Sequence, residues 1–283
     1  MTPGYHVMSA EKYHADPCAA PSLSSSIAQL LLNGSPRKAW FSHPRLNQDY
    51  REVHDGKFDL GTAAHAALLE DGLSKIVVVE ADDWRTKAAQ QQRDTARTAG
   101  KTALLARHVK TVGAMVEVAQ AFIAQSEIVE FWKGGESEVT GIAQEGGIWL
   151  RCRFDRITTT RRFIIDYKST TDASPEVFSR QIVRMGYHIQ DAFYRRVARL
   201  LGAHAPRFAF IAQSCEPPFE CSLHGCDPAL QEIGDAAVQR ATDLWRQCIT
   251  AKSWPSYGGR IHWAIPSTWQ IKDHEERLME AAA

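Results

Sequence analysis

The middle of the chain constrains the fold most, because the hydrophobic pattern there changes from helical to strand periodicity. Three stretches, residues 136–143, 147–157 and 162–168, have strand-like patterns, and Gly-rich and Thr/Arg turns separate them. Turns of this kind favour a meander of antiparallel strands. We therefore expect a β-sheet at the centre of the protein.

Helical patterns flank this sheet in the sequence. Helices are predicted at about 22–32, from Ser35-Pro36 through Trp40 and Phe41, at 61–70, at 104–123, at 174–201 with a kink at Gly186, and at 228–249. Further strands are predicted at 76–79, 207–214 and 219–224, and the polar stretch 84–98 is predicted to be a solvated helix or a mobile arm. This order of elements favours the α/β (α+β) class with a mixed sheet.

Length and composition favour one domain. The 283 residues are 44% hydrophobic, which is enough to bury a full core. We interpret residues 1–283 as a single domain with an N-terminal helical region (about 1–60) and a C-terminal helix and tail (about 228–283). Apolar runs fall short of the roughly 18 residues that span a bilayer, so no membrane partner is expected.

Charge and cysteine usage narrow the functional classes. The formal net charge is zero, so contact with a polyanion has to come from a local basic surface. The six cysteines lack the two-residue gap typical of zinc or iron–sulfur ligation, which argues against a thiolate cluster. Because the chain begins without a basic-then-apolar secretory pattern, we expect reduced thiols and a cytoplasmic location.

Two of the predicted strands carry charged residues that the alternation of a strand brings together. In the first, Asp155 lies on the face opposite the apolar side chains, and in the second, Asp166 and Lys168 share one face. If the two strands pair as a hairpin, Asp155 and Asp166 approach each other and repel unless a cation or a shared proton intervenes. The pattern therefore predicts a site for a divalent cation.

Such a site favours phosphate-ester hydrolysis. Mg²⁺ and Mn²⁺ prefer oxygen ligands, polarise a phosphodiester oxygen and lower the pKa of a bound water, which Lys168 is placed to orient. The competing interpretation is a surface ion pair between Asp166 and Lys168, worth about 0–1 kcal/mol. The pair alone therefore does not establish a function.

Further motifs in a fixed order give these residues a family context. F-D at 154–155 followed by I-I-D-Y-K-S-T at 164–170 resembles the core motif of the PD-(D/E)xK nuclease superfamily, with Phe154 where the name has proline. G-T-A-A-H at 61–65 and Q-D-A-F-Y at 190–194 resemble the G-x-x-x-H and Q-x-x-x-Y motifs of its RecB-like branch. Similarity to the RecE-type exonuclease (exodeoxyribonuclease VIII) family extends over about residues 5–260, through Tyr13-His14, residues 22–26, Ser35-Pro36, Trp40, residues 58–70, R-C-R-F-D and Y-H-I-Q-D-A-F-Y.

This resemblance implies a restriction-endonuclease-like mixed sheet flanked by helices, and it implies roles for matching residues. The implied ligands of two Mg²⁺ or Mn²⁺ ions are His65, Asp155, Asp166 and Glu136, and the implied catalytic residues also include Lys168, Gln190 and Tyr194. Glu138 lies on the same strand face as Glu136 and is the alternative to it. His65 also fits a packed helix histidine, and Gln190 with Tyr194 fits packing at the edge of the core.

The resemblance also implies a substrate and partners. It implies an ATP-independent exonuclease that digests double-stranded DNA ends from 5′ to 3′ and leaves a 3′ overhang for a single-strand annealing protein. It further implies a ring-shaped homo-oligomer, a tetramer, acting in DNA recombination. Basic residues that flank the site are predicted to contact DNA: Arg151, Arg153, Arg156 and Arg184.

Two other functions remain as alternatives. One is a catalytically silent DNA-binding or recombination scaffold on the same fold, which the clustered carboxylates argue against because they repel phosphate. The other is a RecB-like nuclease with single-strand or other specificity, which the cysteine spacing argues against. A-G-K-T at 99–102 lacks the first glycine of a phosphate-binding loop, so no ATP motor is predicted.

Overall fold

The structure, a computed structural model, describes residues 1–50, 59–69 and 76–282. The strands in this part are β1 (Gly4–Val7), β2 (Ser22–Leu23), β3 (Ile76–Val79), β4 (Thr102–Leu105), β5 (Gly135–Glu145), β6 (Ile148–Thr158), β7 (Phe163–Thr170), β8 (Arg207–Ser214) and β9 (Cys221–His224). The helices are α1 (Ala10–His14), α2 (Ser25–Asn33), α3 (Pro36–Phe41), α4 (Asp59–Leu69), α5 (Lys87–Thr98), α6 (Val109–Gln125), α7 (Val129–Lys133), α8 (Pro175–Arg184), α9 (Tyr187–Leu200), α10 (Pro228–Ala251) and α11 (Thr268–Ala282).

The central sheet is mixed. Its strand order is β1-β5-β6-β7-β8-β9, and β2, which lies outside this order, also pairs with β6. β5, β6 and β7 form the predicted antiparallel meander, and β7 pairs in parallel with β8. The predicted α/β (α+β) class, a mixed sheet flanked by helices, is therefore confirmed.

Helices cover both faces of the sheet, and the alternation of β7 shows how. Ile164 packs in the larger core, with side chains of α2, α9 and α10. Ile165 and Tyr167 pack in a second core, with side chains of α4 and α6. Because both faces are covered, most of β7 is buried, including the charged residue Asp166.

Helix boundaries follow from local capping chemistry. Ser24, Ser35 and Asp227 precede α2, α3 and α10, and each side chain accepts a hydrogen bond from a backbone N–H in the first turn. Gly186 separates α8 from α9 with a φ of 70°, a left-handed conformation that glycine adopts without a side-chain clash. The predicted break at Gly186 is confirmed.

The sequence prediction was wrong at the start of the long helix. Leu104 and Leu105 were placed in it, but they lie in β4, which pairs in parallel with β3, and α6 begins only at Val109. A short apolar run does not distinguish a helix from a strand, so pairing with the adjacent strand decides. Glu70, the predicted last residue of the preceding helix, lies outside the described residues.

The N-terminal region, predicted as helical, also contributes two strands. β1 pairs antiparallel with β5, and β2 pairs in parallel with β6. Strands of four and two residues are too short to show an alternating pattern in the sequence. None of the described helices combines the length and apolar character needed to cross a membrane.

Candidate metal and catalytic centre

Three side chains with metal-binding atoms converge where α4 meets β5 and β6. His65, Glu138 and Asp155 each offer one ligand atom, and these atoms all lie within 4.8 Å of one another. His65 Nε2 is 3.1 Å from Asp155 Oδ2 and 3.8 Å from Glu138 Oε1. No other cluster of His, Cys, Asp and Glu within residues 1–50, 59–69 and 76–282 has this spacing.

Strand pairing explains why two of these carboxylates meet. β5 and β6 are antiparallel, and the register that pairs Val139 with Phe154 puts Glu138 opposite Asp155. Opposite residues of antiparallel strands have neighbouring side chains. Two carboxylates in this arrangement repel each other, so a cation placed between them is stabilised.

Small residues on α4 allow His65 to reach this group. Gly61, one turn before His65, lies against Ser169 of β7, and an added Cβ would come within 2.9 Å of Ser169 Cβ. Ala63 and Ala64 are buried in the same turn. This close packing of small residues brings His65 near the sheet.

Asp166 and Lys168 extend the cluster along β7. Asp166 is only 1% exposed, and Gln190 Nε2 of α9 donates a hydrogen bond to its Oδ1 at 2.6 Å. Lys168 Nζ lies 2.5 Å from Asp166 Oδ2. The backbone N–H of Tyr167 donates to Asp155 Oδ2 at 2.9 Å, which links the two carboxylate strands.

The charges of these residues act on one another. Burial disfavours the imidazolium of His65, but the carboxylates of Asp155, Glu138 and Asp166 outweigh it and raise the pKa of His65 to about 9. Burial also opposes ionisation of Asp155, yet His65 and Lys168 lower the pKa of Asp155. For Asp166, burial and the charge of Asp155 raise the pKa to about 6. The carboxylates therefore stabilise positive charge beside them.

Lys168 stays charged in this setting. Burial disfavours its ammonium form, but Asp166 and Asp155 outweigh it and raise the pKa of Lys168. The ammonium also lies 5.1 Å from the ring centroid of Tyr187, at the start of α9. A carboxylate and an aromatic face thus hold the lysine in one place.

The two residues of the Q-x-x-x-Y pattern have different environments. Gln190 reaches the centre through its hydrogen bond to Asp166. Tyr194, one turn later, packs edge-on against Phe154 at 5.4 Å between ring centroids and against Phe208 at 6.0 Å. In the structure Tyr194 is a core residue behind the site.

The acidic residue that β5 brings to the centre is Glu138 rather than Glu136. Glu136 is 48% exposed and pairs with Arg161 Nη1 at 2.5 Å. Glu136 pairs with Ile157, which lies two residues after Asp155 on β6. The register puts Glu138, not Glu136, opposite Asp155, and register is not visible in the sequence.

Three of the four arginines predicted to contact DNA are engaged within the protein. Arg151 is 4% exposed and bonds to Ser22 and Asp16. Arg153 pairs with Glu138, and Arg156 donates to Trp132 O and Ser137 Oγ. Only Arg184, at the end of α8, is exposed. Because the guanidinium of Arg151 is buried in these internal contacts, Arg151 is not retained as a DNA contact.

Sequence reasoning missed Tyr187 and gave Glu138 only second place. The signal for Tyr187 was present, because it lies three residues before Gln190 and therefore on the same side of α9. No comparable signal separates Glu138 from Glu136. The structure adds both residues to the site.

The fold and the arrangement of Asp155, Asp166 and Lys168 at the sheet define the class, the PD-(D/E)xK nuclease superfamily. The PDDEXK-like domain of unknown function DUF3799 matches residues 35–265, and the chain belongs to this family. A comparison with curated proteins found no match.

A solved structure supports the fold. A crystal structure from Eubacterium rectale, named "Putative exonuclease", is similar at a TM-score of 0.61 and 11% identity, covering 94% of this chain and 98% of the other. A similarity at this identity shows the fold alone. The structure of SSO0001 has 12% identity over 73% of this chain and 98% of the other. Its TM-score of 0.27 is too low to indicate a shared fold.

Proposed function

We propose that the chain is a metal-dependent DNA nuclease whose centre is formed by His65, Glu138 and Asp155. One observation carries the proposal: three ligand atoms lie within 4.8 Å of one another, and the charges of Asp166 and Lys168 act on the same residues. A metal site with an adjacent ammonium suits hydrolysis of a phosphate ester. A passive DNA-binding scaffold gains nothing from it, because carboxylates repel phosphate.

The donor set fits a hard divalent cation. Glu138 and Asp155 supply carboxylate oxygens, which suit Mg²⁺ and Mn²⁺, and His65 adds one imidazole nitrogen. A cation bound there polarises the scissile phosphate and lowers the pKa of the attacking water. The proposal includes Asp166 as a further metal ligand and two ions per site, as the resemblance to RecE-type exonucleases implies.

The residues of β7 and α9 give the reaction its remaining parts. Lys168 is charged and held beside Asp166, so it is placed to orient the attacking water or to stabilise charge that develops on the phosphate. Gln190 fixes the orientation of the Asp166 carboxylate by its hydrogen bond. Tyr187 limits where the lysine ammonium moves.

The finer specificity that we propose is an ATP-independent 5′-to-3′ exonuclease on double-stranded DNA ends, leaving a 3′ overhang. The resemblance to the RecE type supports it, and the similar Eubacterium rectale protein is itself named an exonuclease. Arg184, exposed on α8, is the proposed DNA contact among the predicted arginines. In this proposal the 3′ strand passes to a single-strand annealing protein during recombination in the cytoplasm.

We also propose that the nuclease is a ring-shaped homo-oligomer, a tetramer as the same resemblance implies. The C-terminal residues support association, since Trp263 is 80% exposed, Ile265 87% and Trp269 70%. Several exposed large apolar side chains in one short segment favour burial against another chain. Light scattering coupled to size exclusion tests this part, and a monomer at micromolar concentration would contradict it.

The function is tested by digesting linear duplex DNA, labelled separately at its 5′ and 3′ ends, with Mg²⁺ or Mn²⁺ and without ATP. A closed circular DNA is the substrate control. Lys168→Ala is the test variant, and Lys87→Ala, an exposed lysine on α5, is its matched control.

The expected result is metal-dependent release of the 5′ label from linear DNA alone, retained by Lys87→Ala and lost in Lys168→Ala. Release of the 3′ label first would contradict the polarity but keep the nuclease. DNA binding without any cleavage would favour the scaffold function instead.

A further inference from the structure

We infer that Arg153 is a positioning residue for the metal centre, holding Glu138 so that one carboxylate oxygen stays directed at His65 and Asp155. The inference rests on the proposed function, because Glu138 is a metal ligand only in the proposed metal centre. It assigns Arg153 a role other than the phosphate contact that the sequence suggested.

The two oxygens of Glu138 have different partners. Oε2 forms an ion pair with Arg153 Nε, and Oε1 lies 3.8 Å from His65 Nε2. Both side chains of the pair are largely buried, at 12% and 14% exposure, so water competes weakly with the ion pair. Arg153 therefore holds Oε2, and Oε1 is the oxygen directed at His65.

The backbone at Glu138 indicates that this placement is enforced. Its φ of 56° lies in the left-handed region, which residues with a Cβ adopt rarely. Such a conformation persists where the surroundings over-determine it, and it clusters at functional sites. The ion pair with Arg153 is one contact that holds it.

The register of the sheet puts Arg153 in the position this role requires. Arg153 pairs with Thr140, so it lies diagonally across from Glu138, which is opposite Asp155. Through its contact with Glu138 Oε2, the guanidinium offsets the repulsion between the two carboxylates. Binding a divalent cation then needs less rearrangement of the ligands.

The test compares Mn²⁺ affinity, measured by isothermal titration calorimetry without DNA, across a double-mutant cycle. The variants are Arg153→Met, Glu138→Gln and the combination, with Arg153→Lys keeping the charge and Arg277→Met removing an exposed charge on α11 as the matched control. Duplex DNA binding in chelator is measured at several salt concentrations for wild type and Arg153→Met. Near-ultraviolet circular dichroism checks that each variant is folded.

A positioning role predicts that Arg153→Met weakens Mn²⁺ binding by about 10–100-fold, the usual effect of losing a partner of a metal ligand. The combined variant should be no weaker than Glu138→Gln alone, and the salt dependence of DNA binding should be unchanged. If Arg153→Met does not fold, Arg153→Lys decides, with a loss of at least about threefold expected.

Several results would overturn the inference. One is Mn²⁺ affinity in Arg153→Met within about twofold of wild type, or in Arg153→Lys if only that variant folds. Another is a combined loss equal to the product of the single losses. A third is a salt slope of DNA binding reduced by about one, which marks a phosphate contact. A wild-type chain that binds no Mn²⁺ would overturn the proposed function as well, whereas the other outcomes leave it standing.

Discussion

The close approach of α4 to β7 gives a prediction in which an added methyl group stabilises one helical glycine position but not another. At Gly113 of α6, nothing lies within 4 Å of an added Cβ, so Gly113→Ala should stabilise the protein by about 0.5–1 kcal/mol through backbone entropy. At Gly61 an added Cβ would come within 2.9 Å of Ser169 Cβ. Overpacking of this kind costs about 1–3 kcal/mol, so Gly61→Ala should be neutral or destabilising by up to about 2.5 kcal/mol.

The larger consequence falls on His65, one turn after Gly61. If α4 moves away from β7 by about 1 Å, His65 Nε2 leaves its place 3.1 Å from Asp155 Oδ2, and activity should fall by about 100-fold. Urea unfolding measures the change in stability, Mn²⁺ titration measures the change in metal affinity, and the DNA digestion measures the loss of activity. Removing the Ser169 hydroxyl with Ser169→Ala should restore part of the loss. If Gly61→Ala is as stabilising as Gly113→Ala and keeps wild-type Mn²⁺ affinity, the close packing of α4 on β7 does not position His65.

Three further predictions follow from other contacts. Burial opposes ionisation of Asp16, but His43, Arg151 and Ser22 outweigh it and lower the pKa of Asp16 to about 2. The ionised carboxylate should therefore contribute about 2 kcal/mol of stability above about pH 4, and this contribution should be lost as pH falls toward 2. Urea unfolding from pH 6 to pH 2.5 should show this loss, and an Asp16→Asn variant with the same acid slope as wild type would contradict it. Lys168→Met should lower the cleavage rate by about 10²–10³-fold while Mn²⁺ still binds; a rate within about tenfold of wild type would remove the lysine from the mechanism. Gln190→Leu, which leaves Asp166 Oδ1 without its donor, should reduce activity by about 10–100-fold without unfolding the chain, as rate measurements beside thermal unfolding will show.

The strands that carry the site could be predicted because their patterns are local. Alternation alone separated Phe154 from Asp155, and the structure places Phe154 in the core. The same alternation put Asp166 and Lys168 on one face, and their side chains form an ion pair. The alternation of strand side chains can be predicted from a single sequence because it does not depend on tertiary contacts.

What could not be predicted depends on register and on competition between partners. The choice of Glu138 over Glu136 is set by which residue of β5 is opposite Asp155. The engagement of Arg151 with Asp16 joins residues that are far apart in the chain. Leu104 entered a strand because a partner strand was available, a cause that lies outside its own neighbourhood. Each of these outcomes is decided by tertiary contacts between elements.

Whether His65, Glu138 and Asp155 form one metal centre can be seen in a crystal soaked in Mn²⁺. Anomalous difference density recorded at a wavelength near the manganese absorption edge locates the ion without reference to the activity. We expect a peak within coordination distance of His65 Nε2, Glu138 Oε1 and Asp155, lost in an Asp155→Asn crystal. Manganese bound elsewhere, with no peak among these three side chains, would contradict it.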